Sequence, residues 1–317
     1  MEGRVKEAGY IAVNDFIKWK VTQMNKSRTL LFYLFILPWL IGFVVFTAGP
    51  MVYSLYMSFT DYSGLGAANW VGLENYKKLF TEDPLFWQSL WNTFFYTIVG
   101  VPLGLVVGYM LAVLLNTKVR FMGLFRTIFY LPSLVPTVAS SLLWILIFQP
   151  DFGIANSILS FFHLPTSNWL LSEGMVKPTL IIMSLWGAGG GMVIYLAGLQ
   201  SVPASLYEAA ELDGAGKFHK FWNITIPMTS NVIFFNLIMG LIGSFQIFTQ
   251  AYVVSSGNGG PNYKSLFYVF YLYQDAFKFF KMGYASALAW ILFIIILVFT
   301  LIQFKVFGKK VYYEYDE

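Results

Sequence analysis

Six long runs without a charged residue constrain this chain more than anything else in it. They are residues 30–56, 91–115, 127–148, 179–199, 228–254 and 284–307, and the first Asp, Glu, Lys or Arg inside any of them is Lys305, near the end of the last. A helix that crosses the hydrocarbon core of a bilayer needs about 20 mostly apolar residues. Buried helices of water-soluble proteins are shorter and do not recur in this way. The pattern predicts an all-α polytopic membrane protein with six transmembrane helices. Charged residues make up only 11% of the 317, against roughly 25% in an ordinary soluble domain. Mean hydropathy is +0.64. The apolar part of the first run is too long for a signal peptide, and no small-residue cleavage site follows it.

The cations fall between the runs, and that sets an orientation. Lys and Arg accumulate in loops on the cytoplasmic side. With the N-terminus inside, inner segments hold fourteen Lys and Arg and outer loops hold six. Both termini are therefore expected in the cytoplasm. Three regions follow: an N-terminal cytoplasmic segment 1–29, a transmembrane domain 30–307 and a cytoplasmic tail 308–317. Residues 10–20 interleave charges with apolar residues, which predicts a short helix on the membrane surface. A net charge of +4 gives nucleic-acid binding no support.

What the runs lack removes several functions. Pumps and proton-coupled carriers keep ionisable groups inside the membrane, and none lies well inside a run here. His163 and His219 both fall in loops. There is no G-x-x-x-x-G-K-[ST] phosphate loop, so this chain does not hold ATP in that way. There is no Cys, which excludes thiol catalysis and Cys-based metal sites. No catalytic residue and no metal site are expected.

The runs do hold neutral polar groups beside aromatic rings. Tyr130, Ser133, Ser140, Trp186, Ser244, Gln246, Thr249 and Gln250 form the candidate substrate site. Hydroxyl- and amide-bearing side chains suit a neutral polyol such as a sugar, whose C–H faces stack on rings. The competing reading is that such residues glue helices together, at roughly 0.6 kcal/mol per contact. Gly187, Gly189, Gly190 and Gly191 permit close helix approach or a local unwinding.

The inner loop 200–227 is the most informative stretch. Ser201 is expected to cap a helix that begins around Pro203 and continues through Glu208-Ala209-Ala210 to Leu212. Asp213-Gly214 then breaks it, because Gly accepts the positive φ of a helix end. A second short helix from near Ala215 carries Phe218, Phe221 and Trp222, and Pro227 marks the return to the membrane. The result is a helix–turn–helix knob, either a docking surface or a rigid connector.

Here the residues resemble a known family. Glu208-Ala209-Ala210, Asp213-Gly214-Ala215, Phe221 and Ile226-Pro227 resemble the cytoplasmic loop of ABC-importer permeases. Phe129-Tyr130-Leu131-Pro132, Trp144, Gly153-Ile154-Ala155-Asn156, Phe245-Gln246-Ile247-Phe248, Tyr252 and Gly259-Gly260-Pro261 resemble the carbohydrate-uptake group. So does the segment from Ala197 to Pro203. Asn69-Trp70-Val71-Gly72 and Leu73-Glu74-Asn75-Tyr76 resemble the first outer loop of the maltose-type first permease. Thr249 departs from the pattern, since many relatives carry Asp there.

The resemblance implies a type I ABC importer permease fold with a coupling helix between spans four and five. It implies a sugar substrate, a second homologous permease, two ATPase subunits and an extracytoplasmic solute-binding protein. ATP and Mg would sit in the ATPase subunits. Glu208 would supply the polar contact in the ATPase cleft, Ala209 and Ala210 the close approach, and Gly214 the bend. Asp213, Ala215 and Phe221 would hold the knob's shape. Two other readings remain open at this point: an ion-coupled carrier acting alone, and a non-transport scaffold.

Overall fold

The computed structural model describes residues 31–117, 119–308 and 311–312. The surface helix expected within 1–29 and most of the expected tail 308–317 lie outside the described residues. Among those described, regular structure is helical, and the one extended pairing is an isolated bridge between Thr60 and Trp70.

The chain divides into two compact units, one ending at Tyr56 and the other starting at Met57. The described residues of the first belong to α1, Leu31–Met57, 27 residues of high hydropathy. Its turn Val44–Ala48 is π-helical.

The second unit carries the remaining helices. A short helix, α2 (Glu74–Thr81), precedes α3 (Pro84–Leu115). Asp83 starts α3 by accepting hydrogen bonds from the backbone N–H groups of Leu85 and Phe86 at 2.9 and 3.2 Å. Pro84 occupies the first helical position, where its missing N–H is harmless. This cap starts the helix well before the apolar run at residue 91. Its 32 residues extend about 48 Å at 1.5 Å per residue, longer than a hydrocarbon core.

The third expected span, 127–148, is not one helix. It consists of α4 (Met122–Tyr130), a 3₁₀ turn Leu131–Leu134 and α5 (Thr137–Ile147), and the two halves are bent by 97°. The cause is proline. Pro136 pushes the preceding residue out of the helical region, and Val135 is extended, at φ −71° and ψ 127°. A lateral helix, α6 (Ile154–Phe161), follows.

The fourth span is α7 (Val176–Leu185), a 3₁₀ turn Trp186–Ala188, and α8 (Gly189–Ser201). The knob follows as α9 (Ala204–Leu212) and α10 (Lys217–Lys220). The fifth span is α11 (Ser230–Phe245) and α12 (Thr249–Val254). Between spans five and six stands a buried helix that periodicity did not announce, α13 (Tyr268–Tyr273), extended by a π turn Gln274–Lys278. The last span is α14 (Met282–Phe307).

Packing centres on α3, which lies against α7, α8, α11 and α13. Two buried clusters share it. At the end away from the knob, Phe86, Leu180, Leu266, Phe267, Phe270 and Leu288 are sealed together. Toward the knob, Tyr109, Ala112, Leu115, Met192, Tyr195, Leu196 and Leu199 form the second.

Candidate functional site

The knob is built by a helix end of one defined type. Gly214 sits at φ +79°. Its N–H reaches the Glu211 carbonyl at 3.0 Å, and the Ala215 N–H reaches the Ala210 carbonyl at 2.8 Å. That pair of bonds is a Schellman closure, which favours Gly at the left-handed position. Lys220 then crosses the bend to pair with Glu211 at 2.5 Å, and this hydrogen bond holds the Glu211 carboxyl below its usual range. The start of the knob differs from expectation. The Ser201 hydroxyl donates to the Gly198 carbonyl at 2.8 Å and caps nothing, and Pro203 occupies the cap position at φ −60° and ψ 130°. A serine in the last turn of α8 finds its own helix's carbonyl before it finds the next helix.

The expected knob residues come together. Glu208, Ala209 and Ala210 lie on α9, with Asp213, Gly214 and Ala215 in the bend and Phe218 on α10. Phe221 opens a π turn, Phe221–Thr225, and Pro227 lies in the turn Ile226–Met228 just after it. The tip is apolar and open: Leu212 is 90% exposed, Phe218 78% and Trp222 53%. Beside the bend, Ala210, Asp213, Gly216, His219 and Asn223 border a shallow cleft.

A second feature lies within the bundle. Span three loses helical geometry at 131–136 and span five at 246–248, and span four tightens from α to 3₁₀ at 186–188. Irregular backbone at membrane depth survives only where protein or a water-filled cavity satisfies it. These breaks adjoin one another. The turn Leu131–Leu134 packs on Trp186–Ala188, and α12 packs on α5. A Cβ on Gly189 would stand 1.9 Å from the Phe129 carbonyl oxygen, so the two backbones touch. The rings of Trp144 and Trp186 meet edge to face at 5.9 Å.

Most of the candidate substrate residues gather at these breaks. Tyr130, Ser133, Trp186 and Gln246 are open, while Ser140, Thr249 and Gln250 are half-buried. Ser133 and Ser140 spend their protons on the carbonyls of Tyr130 and Thr137, at 2.7 and 3.0 Å, which leaves their oxygens as acceptors. Ser244 stands apart. It is buried on the side of α11 that faces α3, 3.0 Å from the Thr97 hydroxyl and 2.9 Å from the Leu241 carbonyl. It lines a separate groove of about 350 Å³, edged by Gly100, Gly104, Gly191, Gly240 and Gly243. No other candidate substrate residue borders that groove.

Sequence reasoning missed a polar clamp at the end away from the knob. The Asp83 carboxylate caps α3 and also accepts hydrogen bonds from the hydroxyls of Tyr271 and Tyr284, tying α3, α13 and α14 together. Asn92, fully buried, donates to the carbonyls of Tyr263 and Leu266 at 2.8 and 2.9 Å. Asp275 is buried and pairs with Lys281 at 3.4 Å. Burial pushes its carboxyl above the usual range, and Lys281 pulls it partly back. The Asp83-Pro84 pair was a readable cap signal. The tyrosines that join it come from nearly two hundred residues away and leave no local mark.

The sequence pattern of the binding-protein-dependent transport system inner membrane components matches residues 100–311. The chain is 44% identical over 301 residues to the probable ABC transporter permease protein YesP of Bacillus subtilis, covering 93% of this chain and 97% of that one. It is 36% identical over 280 residues to the arabinooligosaccharides transport system permease protein AraP of the same species, covering 87% and 88%. To the lactose transport system permease protein LacF of Rhizobium radiobacter it is 34% identical over 277 residues, covering 86% and 92%. Its fold resembles a chain of a bacterial alginate ABC transporter crystallised with an alginate pentasaccharide-bound periplasmic protein. The TM-score is 0.78 at 24% identity, over 89% of this chain and 96% of that one. This chain belongs to the binding-protein-dependent transport system inner membrane components. It is a multi-pass permease subunit of an ABC importer, a transport component, and not a carrier that works alone or a scaffold.

Proposed function

We propose that residues 30–307 form half of a sugar translocation pathway, and that the knob at 200–227 seats in the cleft of a separate ATPase subunit. A second, homologous permease completes the pathway. ATP and Mg bind in two ATPase subunits, and an extracytoplasmic binding protein delivers the sugar. Both termini, with segments 1–29 and 308–317, face the cytoplasm, on the strength of the Lys and Arg distribution. The cargo is a mono- or oligosaccharide. Relatives named for arabinooligosaccharides, lactose and trehalose/maltose support that class, as do the neutral polar groups and indole rings at the helix breaks.

The observation that carries the coupling role is the knob itself. It is a hydrogen-bonded bend whose apolar side chains, Leu212 and Phe218 above all, stand open to solvent, an arrangement a mere connector does not need. Glu208, Ala209 and Ala210 give its docking face, and Asp213, Gly214, Ala215, Phe218, Phe221 and Pro227 give its shape. At the breaks, Tyr130, Ser133, Ser140, Trp186, Gln246, Thr249 and Gln250 contact the sugar. The test is co-expression of the tagged chain with its partner permease, ATPase and binding protein. The wild-type chain is expected to co-purify with the ATPase, whose activity rises with loaded binding protein. Gly214→Pro fixes φ near −65° where the bend holds +79°, and is expected to abolish uptake while the chain still inserts. Normal uptake by that variant would remove the docking role.

A further inference from the structure

We infer that Tyr109 and Thr229 form the joint through which movement of the knob reaches the membrane spans. The inference rests on the reading above, that the knob seats in an ATPase. A chain of hydroxyls links the knob to α3. Thr225 closes the π turn, and its hydroxyl donates to the Lys220 carbonyl at 3.3 Å. It therefore accepts from the Tyr207 hydroxyl of α9, at 3.0 Å. The Thr225 carbonyl in turn accepts from the Thr229 hydroxyl at 2.7 Å. Thr229 has then spent its only proton, so in the contact of 2.7 Å with Tyr109 it is Tyr109 that donates. Each link from the Tyr207 side chain to the Tyr109 side chain thus has a defined donor, and both ends donate toward Thr225.

Its surroundings make it more than a surface network. Thr229 is fully buried and Tyr109 nearly so, within a cluster that is otherwise apolar. In such low-dielectric surroundings a hydrogen bond is held more strongly than in water. The Tyr109 ring also meets the Phe221 ring at 6.2 Å, a second contact with the π turn. π turns are rare and concentrate at functional positions.

Beyond Tyr109 the path continues by packing. Its ring stands edge to face with that of Tyr195 on α8 at 5.3 Å. Gly108 allows this approach, since a Cβ there would lie 3.3 Å from both the Tyr195 ring and the Ala188 carbonyl. Ala188 ends the 3₁₀ turn within span four. The Tyr195 hydroxyl is buried, has no partner among the described residues, and lines the glycine-edged groove along with Asn236. Displacement of the knob therefore moves Thr225 and Thr229, then Tyr109, and then Tyr195 beside the 3₁₀ turn of span four.

Tyr109→Phe is the decisive variant. It removes one donor, keeps the ring contacts with Phe221 and Tyr195, and leaves no proton unsatisfied. The complete importer, with both permeases, both ATPase subunits and the binding protein, is reconstituted in liposomes. The expected result is normal ATPase association and normal basal hydrolysis, with sugar taken up per ATP reduced about tenfold. Thr229→Val is expected to act likewise, and the double variant to be no worse than either single one, as for two halves of one contact. Unchanged uptake per ATP in both single variants would overturn the inference. So would a fall in uptake that merely tracks lost thermal stability or lost ATPase association, which would mark the pair as structural. Failure of the wild-type chain to bind an ATPase would instead overturn the reading on which the inference rests.

Discussion

Two glycines carry different demands, and the difference decides what replaces them. Gly214 has open space around its absent side chain and is needed for its left-handed φ of +79°. Gly189 has ordinary helical geometry and is needed because the Phe129 carbonyl oxygen occupies the place of a Cβ. Gly189→Ala must therefore separate spans three and four where they touch. Overpacking of this kind costs about 1–3 kcal/mol, and the thermal unfolding temperature of the detergent-solubilised complex should fall accordingly. An unshifted transition would mean that the two backbones part without loss. The role of Gly214 was legible in the sequence, because Asp-Gly after an Ala-rich helix is a local signal. The role of Gly189 was not. Four glycines stand within five residues, 187–191, and nothing local says which of them meets another span's carbonyl.

The elements divide along the same line. Long apolar runs announced the spans, and the Asp213-Gly214 helix end announced the bend of the knob, while the cap expected at Ser201 falls at Pro203 instead. The bend in span three was written in Pro132 and Pro136, yet its apolar residues run on unbroken, so hydropathy alone read one helix. The buried helix α13 was hidden for the opposite reason. Its sequence, Tyr268-Val269-Phe270-Tyr271-Leu272-Tyr273, is too short to cross a membrane, and its burial comes from distant partners such as Thr93, which accepts from the Tyr268 N–H at 2.9 Å. The π turn after α13 holds Asp275, and burial makes that carboxylate a pH-dependent element. Its folded pKa lies above the ordinary value of 3.8. Folding thus favours the protonated form more than the unfolded chain does, and stability is lost as pH rises through the folded pKa. Acidification from neutral pH toward 3.8 should stabilise the wild-type protein relative to Asp275→Asn, whose amide does not titrate. Melting curves of the two proteins across that range check this. A stability gap that stays constant with pH would show that folding leaves the Asp275 pKa where the unfolded chain has it.

For the whole molecule, the separation of two kinds of polar residue bears most directly on transport. Ser244 and Thr97 join α11 to α3 within the chain, whereas Gln246, at the break of span five, stays exposed. Both are neutral polar residues on one span, two positions apart, and sequence could not sort them. Which face of α11 meets α3 depends on packing across 147 residues of sequence. One side chain is partnered within the chain and the other stands open, and that yields opposite expectations. Gln246→Ala should raise the sugar concentration for half-maximal uptake about tenfold, the weight of one or two hydrogen bonds to a hydroxylated ligand, without altering assembly. Ser244→Ala should leave that concentration unchanged and lower thermal stability by about 1 kcal/mol. Both are read in liposomes holding the complete importer, with saturating binding protein so that delivery is not limiting. If Gln246→Ala leaves uptake untouched while Ser244→Ala raises the half-maximal concentration, the sugar passes along the glycine-edged groove between α3, α8 and α11, and the helix breaks serve only to bend the spans.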